Sequence, residues 1–206
     1  RFGHRGEGGT WHDWSGTVSD FKMSGEDTVR VVAVGREQAL LDTRVIEAMH
    51  GEPADVVARR LLAFTGLPVT EVSIPLEFLP HIVFSGVTVA MAIKQLASTL
   101  ETSFGHDMSK HAVWLGESGL YWSDGDEPGD IPVIESAENL ISHSPNPSGM
   151  SEVVATVIPG LTHSRIVRIR DSRRQFSELV RAQEVIHSLG EHNTTTIRYG
   201  SDEGWG

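Results

Sequence analysis

The chain has 206 residues, a net charge of −11, 39% hydrophobic and 22% charged residues, 21 glycines and no cysteine. This mixture can bury a core, which excludes disorder of the whole chain, and the glycines suit many tight turns and so a large β content. The charge disfavours non-specific binding of nucleic acid, the missing cysteine excludes disulfides, thiolate catalysis and zinc-ribbon or iron–sulfur sites, and no apolar run approaches the roughly 20 residues of a membrane-spanning helix.

The first 50 residues read as β structure. Trp14 to Met23 has strand composition, Ser24 to Asp27 reads as a turn, and Thr28 to Val34 is a β-branched run ended by Gly35. Val29, Val31 and Ala33 alternate with Arg30, Val32 and Val34, which puts apolar residues on both faces and predicts a strand interior to a sheet or barrel. Two helices follow. Pro53 suits a first helical position, Val57, Leu61 and Phe64 recur at helical spacing with Arg59 and Arg60 turned outward, and Gly66 with Pro68 supplies the stop. Thr88 is a good N-cap for the second helix, whose stripe is Val89, Ile93, Leu96 and Leu100, with Lys94, Gln95 and Ser98 off it. Between the helices, Glu71 to Ser85 reads as short strands or extended chain.

Ala112 to Trp122 carries a hairpin signal around Gly116-Glu117-Ser118-Gly119. Ser123 to Gly149 is rich in Gly, Pro, Ser and Asp, contains one short strand at Pro132 to Ile134, and is the best boundary candidate. The last third returns to strands: Glu152 to Ile158, a turn at Pro159-Gly160, Arg165 to Ile169, a long bent or bulged Phe176 to Leu189, a turn at Gly190 to Asn193, and Thr194 to Tyr199. Gly200 to Gly206 reads as a loose tail. No internal repeat is present.

Several residues have the chemistry of a possible site. Of the ten histidines, His187 and His192 form an i, i+5 pair, as do His106 and His111, and His106-Asp107 is a dyad in sequence. None has a helical HExxH context or a spaced carboxylate motif, so all read as surface or turn histidines. Phe84-Ser85-Gly86 and Asn146-Pro147-Ser148-Gly149 only superficially resemble nucleophile turns, and neither a P-loop nor a GxGxxG run occurs. Asp124 to Glu135 approaches a calcium loop, with acids at its first, third and last positions and Gly129 at the sixth. Pro128 at the fifth position offers no side-chain oxygen and no helix leads in, so this segment reads as an acidic surface turn. Arg165, Arg168, Arg170, Arg173 and Arg174 form a basic stripe, read as a solvated strand face and turn. The expectation is therefore no catalytic, cofactor-binding or metal-binding residue, and no enzyme activity.

The order of these segments carries a resemblance. Trp14 to Val18 and Val29 to Ala33 are followed by A-D-V-V-A-R-R-L-L-A-F-T-G-L-P at Ala54 to Pro68 and by F-S-G-V-T-V-A-M-A-I-K-Q-L-A at Phe84 to Ala97. A hairpin, E-N-L-I-S at Glu138 to Ser142, P-G-L-T-H-S-R-I-V-R-I-R-D at Pro159 to Asp171, and V-I-H-S-L-G-E-H-N-T-T-T-I at Val185 to Ile197 complete the series. The series resembles the baseplate hub proteins of long-tailed phages and the related tip proteins of type VI secretion. His187, Gly190 and Thr194 to Thr196 fit the family's closing hairpin, while Asn193 departs where the family often has an aromatic.

The resemblance implies a mainly β, α+β fold: two small β-barrel-like units joined by an α/β insertion. The first barrel unit would end within residues 1–50, the insertion would occupy 51–149, the second barrel unit 150–200 and the tail 201–206. Because the family's first strands would precede Arg1, a portion before it is expected. The implied function is a structural hub or tail-tip protein of the virion, a homotrimeric ring joining the tail tube to the central spike and touching other baseplate proteins. It would need no cofactor, bind no nucleic acid stably and insert in no membrane. The competing readings are a wall-degrading hydrolase, which would need a catalytic constellation, and a carbohydrate-binding β module using Trp11, Trp14, Trp114, Tyr121 and Trp122.

Overall fold

The structure is a computed structural model, describing residues 2–5, 11–14, 16–23, 29–116, 118–125, 130–189 and 193–200. The chain divides into two compact units, Arg1–Asp124 and Gly125–Gly206. The class is the expected α+β with more strand than helix, but the sheets are open, with two to four strands each, and none closes into a barrel among the described residues.

The first unit opens with two antiparallel ribbons, β1 (Phe2–Arg5) with β2 (Trp11–Trp14) and β3 (Thr17–Met23) with β4 (Val29–Val34). The run expected to be interior to a sheet is instead half of a two-stranded ribbon, with Val31 53% exposed and Phe21 and Met23 on its partner 62% and 71% exposed. Apolar residues on both faces therefore do not mark burial here. The expected turn at Ser24 to Asp27 lies outside the described residues. After a short 3-10 turn and α1 (Ala39–Asp42), β5 (Arg44–Pro53) pairs antiparallel with β7 (Phe78–Thr88). That second strand runs through most of the segment expected as short extended pieces and delivers the chain straight into a helix.

Helix α2 (Ala54–Ala63) begins one residue later than expected. Pro53 is its extended N-cap, and the Ala54 amide donates to Glu77 O at 2.8 Å. Val57 and Leu61 are fully buried and Arg59 and Arg60 exposed, as their spacing requires. Phe64 is not on the buried stripe: it is the C-cap, 39% exposed, and Ala58 and Leu62 fill the inward face instead. Gly66, at φ +72°, turns the chain away in a conformation that L side chains resist. Helix α3 (Val89–Phe104) starts where expected, with the Thr88 side chain accepting from the Met91 amide at 3.2 Å. Its stripe of Val89, Ile93, Leu96 and Leu100 is buried, and Gly105 at φ +76° closes it. These faces meet β5, β7 and the sheet β6-β9-β8 (Val69–Val72, Leu120–Ser123, Ala112–Leu115) around Phe84 and Trp122.

The second unit has two sheets. One is β10 (Val133–Glu135), β13 (Ile166–Asp171) and β14 (Phe176–Arg181); the other has the order β11 (Leu140–Ser144), β12 (Ser151–Thr156), β16 (Thr194–Tyr199) and β15 (Glu184–Ser188). The expected long bent strand Phe176 to Leu189 is two strands that serve different sheets. The switch is at Ala182, fully buried, whose amide donates to Arg165 O while Gln183 N donates to Arg198 O. The boundary stretch held one strand more than expected, β11, whose Ser-rich composition hides it. Val153, Val167, Ile169, Ile134 and Ile197 form the core. β15 and β16 pair antiparallel as expected, from Glu184↔Arg198 to Ser188↔Thr194. Residues 190–192 of their turn and the tail 201–206 lie outside the described residues.

Candidate functional site

The densest polar arrangement lies in the second unit and spans its two sheets. Strand alternation turns His143 of β11 and Tyr199 of β16 inward, and Asp171 ends β13 facing them, with 2%, 6% and 1% of their surface exposed. His143 Nδ1 lies 3.0 Å from Asp171 Oδ2 and its Nε2 lies 2.6 Å from the Tyr199 hydroxyl. An ionised carboxylate only accepts, so Nδ1 carries the proton and Nε2 accepts from the phenol. Arg174 donates to the same carboxylate oxygen at 3.1 Å, and the Arg173 amide donates to Oδ1 at 3.1 Å. Ser151 adds a hydrogen bond to the phenol and itself accepts from the Asn146 amide at 2.9 Å. The edge of Phe176 packs on the His143 ring, with centroids 4.9 Å apart.

The electrostatics follow from burial and partners. Burial acts to raise the Asp171 carboxyl, but the hydrogen bonds from His143, Arg174 and the Arg173 amide outweigh it and hold the carboxyl below its ordinary value. Burial pushes the Tyr199 phenol up, helped by the carboxylates Glu178 and Asp171 and opposed by Ser151. The phenol therefore stays protonated at neutral pH and remains a donor. A cavity of about 290 Å³ adjoins this network, lined by Ser136, Ser142, His143, Asp171, Arg173 and Arg174 among others. Chemically, the Asp–His pair resembles the orienting half of a nucleophilic triad, but the far imidazole nitrogen is held by a buried phenol, not by a serine or threonine hydroxyl. The arrangement joins the two sheets of this unit: every member is satisfied, which is what a buried polar network needs to stabilise a fold.

The candidate residues of the sequence are not brought together. His106 Nε2 meets Glu77 at 2.7 Å, whereas Asp107 caps a turn through the Ser109 amide at 3.0 Å and its hydroxyl, and those bonds lower its carboxyl. His187 bridges Thr195 Oγ1 (3.0 Å) and Leu161 O (2.8 Å), and His192 lies outside the described residues. In the acidic turn, residues 126–129 lie outside the described residues, and Glu135 pairs with Arg170 at 3.2 Å. Arg168 and Arg170 alternate outward along β13, and Arg174 serves Asp171. Trp114 and Tyr121 stack across β8 and β9 at 5.2 Å, and together with Trp122 they are buried, so they present no sugar-binding platform. His143, Asp171 and Tyr199 escaped sequence reading because their partners stand 28 and 56 positions away.

No family model matches the sequence, and no curated protein matches it. Solved structures do. The 43 kDa tail protein of prophage MuSo2 from Shewanella oneidensis superposes with a TM-score of 0.62 at 12% identity, over 89% of this chain and 74% of that one. The tail protein from Neisseria meningitidis MC58 superposes with a TM-score of 0.61 at 11% identity, over 96% of this chain and 82% of that one. At such identity the likeness is one of fold.

Proposed function

We propose that this chain is a structural component of a phage-type tail, and more specifically a hub or tail-tip subunit that assembles as a ring between tail tube and spike. The observation that carries the proposal is the fold shared with two tail proteins, one of them of a prophage, along 89% and 96% of the chain. The polar centre supports it, because the Asp171–His143–Tyr199 network spends its donors and acceptors on joining two sheets. So does the ribbon β3–β4. A two-stranded ribbon is marginal alone in water, and this one exposes Val18, Phe21, Met23 and Val31, a surface that a neighbour in an assembly would cover. The net charge of −11 suits a passage that DNA must cross without sticking.

The test is reconstitution. The chain is co-expressed with the neighbouring tail proteins of its particle and the product examined by light scattering and negative-stain imaging. Rings are the expected result, together with no turnover of peptidoglycan, esters or peptides. A chain that stays monomeric with those partners, or whose turnover is lost on a single serine or carboxylate substitution, overturns the proposal.

A further inference from the structure

Outside the polar centre, one pair of side chains has the geometry of a metal chelate. His50 on β5 and His81 on β7 stand directly opposite each other in the antiparallel register. Both are exposed, and their rings lie with centroids 4.5 Å apart and planes tilted by 34°. The two Nδ1 atoms are 3.1 Å apart. We propose that this pair is a surface site for a borderline transition-metal ion such as zinc or nickel, held by the two imidazoles.

The spacing is the first argument. Imidazole nitrogens bind such ions at about 2.0–2.1 Å, so two of them at angles between a right angle and a tetrahedral one sit roughly 2.9–3.4 Å apart. The pair already stands within that bite, and its strand positions hold it there: opposed residues of an antiparallel pair keep their Cβ atoms about 4.5–5.5 Å apart without help from the side chains. Access is the second argument. Both rings are exposed, and Ala48, two residues back and so on the same face of the strand as His50, is small and exposed. The solvent side is therefore clear for an ion that keeps water in its remaining positions. The chemistry balances. At 3.1 Å one Nδ1 donates its proton to the lone pair of the other. On binding, that proton moves through solvent to Nε2 of the same ring, both Nδ1 lone pairs turn to the metal, and no net proton is lost. Clusters of three or more His, Cys, Asp or Glu are absent among the described residues, so this pair has no competing richer cluster there.

Titration calorimetry of the untagged chain with zinc chloride, and separately with nickel chloride, tests the site. Magnesium chloride serves as the oxygen-seeking control, and His50→Ala and His81→Ala as the variants. The expected result is a saturable heat for one zinc or nickel ion per chain, none for magnesium, and loss of that heat in either variant while the melting midpoint without metal is unchanged. Because both rings are exposed, neither substitution empties the core. In nickel titrations followed by NMR, the ring protons of His50 and His81 should broaden first. Absence of a saturable heat, an equal response to magnesium, or full binding in either variant overturns the site.

Discussion

Replacing Asp171 by Ala tests whether the buried network holds the second unit together. The carboxylate accepts from the His143 ring (3.0 Å), the Arg174 guanidinium (3.1 Å) and the Arg173 amide (3.1 Å). His143 is 2% exposed, so its Nδ1–H would be left buried without an acceptor. An orphaned buried donor costs about 1–3 kcal/mol, whereas exposed Arg173 and Arg174 can turn to water, so the expected loss at pH 7 is about 1–3 kcal/mol. Asp171→Asn keeps an acceptor oxygen and should cost less, about 0.5–1.5 kcal/mol. Native-state hydrogen exchange at the Val153 and Ile197 amides reads this unit alone, since those residues pair across its central strands. The pH dependence has a definite sign. The folded carboxyl lies below its unfolded value of about 3.9, so its stabilisation is full above that pH and is lost as pH falls through the depressed folded value. Protection in the parent chain should therefore drop below about pH 4, while Asp171→Asn starts lower and declines less steeply. Unchanged exchange at Val153 and Ile197 in Asp171→Ala at pH 7 would refute the reasoning.

Three other outcomes follow from the packing. Leu96→Ala removes three carbons from a fully buried site, about 2.4 kcal/mol of transfer at about 0.8 each, and with the cavity term should cost about 2.7–5 kcal/mol; Gln95→Ala, losing an exposed bond to Val83 O at 3.0 Å, should cost about 0.5–1 kcal/mol, and urea unfolding showing equal shifts would mean the helix is misphased. Gly105→Ala forces a Cβ onto φ +76° with no clash nearby, so thermal melts should show a loss of about 1–2 kcal/mol from backbone conformation alone. Ending the chain at Gly190 deletes β16, which lies between β12 and β15 and carries buried Thr195, Ile197 and Tyr199, so that product should aggregate in light scattering, whereas one ending at Gly200 should stay soluble.

The parts of this fold that were legible in sequence are those where local chemistry and packing agree. Helix α3 has a side-chain cap, an unbroken apolar stripe and a glycine stop, and each acts within a turn or two of its neighbours. The hairpins at Ala112–Ser123 and Glu184–Tyr199 likewise rest on adjacent residues. Where tertiary context decides, local reading failed. Phe64 keeps the helical spacing of Val57 and Leu61, but the helix ends at it, so it is left 39% exposed off the buried stripe. Val29 to Val34 has the composition of an interior strand, yet only one strand pairs with it among the described residues. The break between β14 and β15 has no turn residue to announce it, because the switch of sheets is imposed by backbone bonds to Arg165 and Arg198. The polar centre is the extreme case: Asp171, His143 and Tyr199 come from three strands in two sheets, and nothing near any of them in sequence marks it as buried.

The central claim, that this is a structural tail protein, is tested most directly by locating the chain in the particle that carries it. Antibody raised against the second unit, coupled to gold and applied to purified particles, should label the distal end of the tail, and averaged images should show a ring there. Labelling confined to the capsid, or particles that contain none of the chain while infecting normally, would contradict the account.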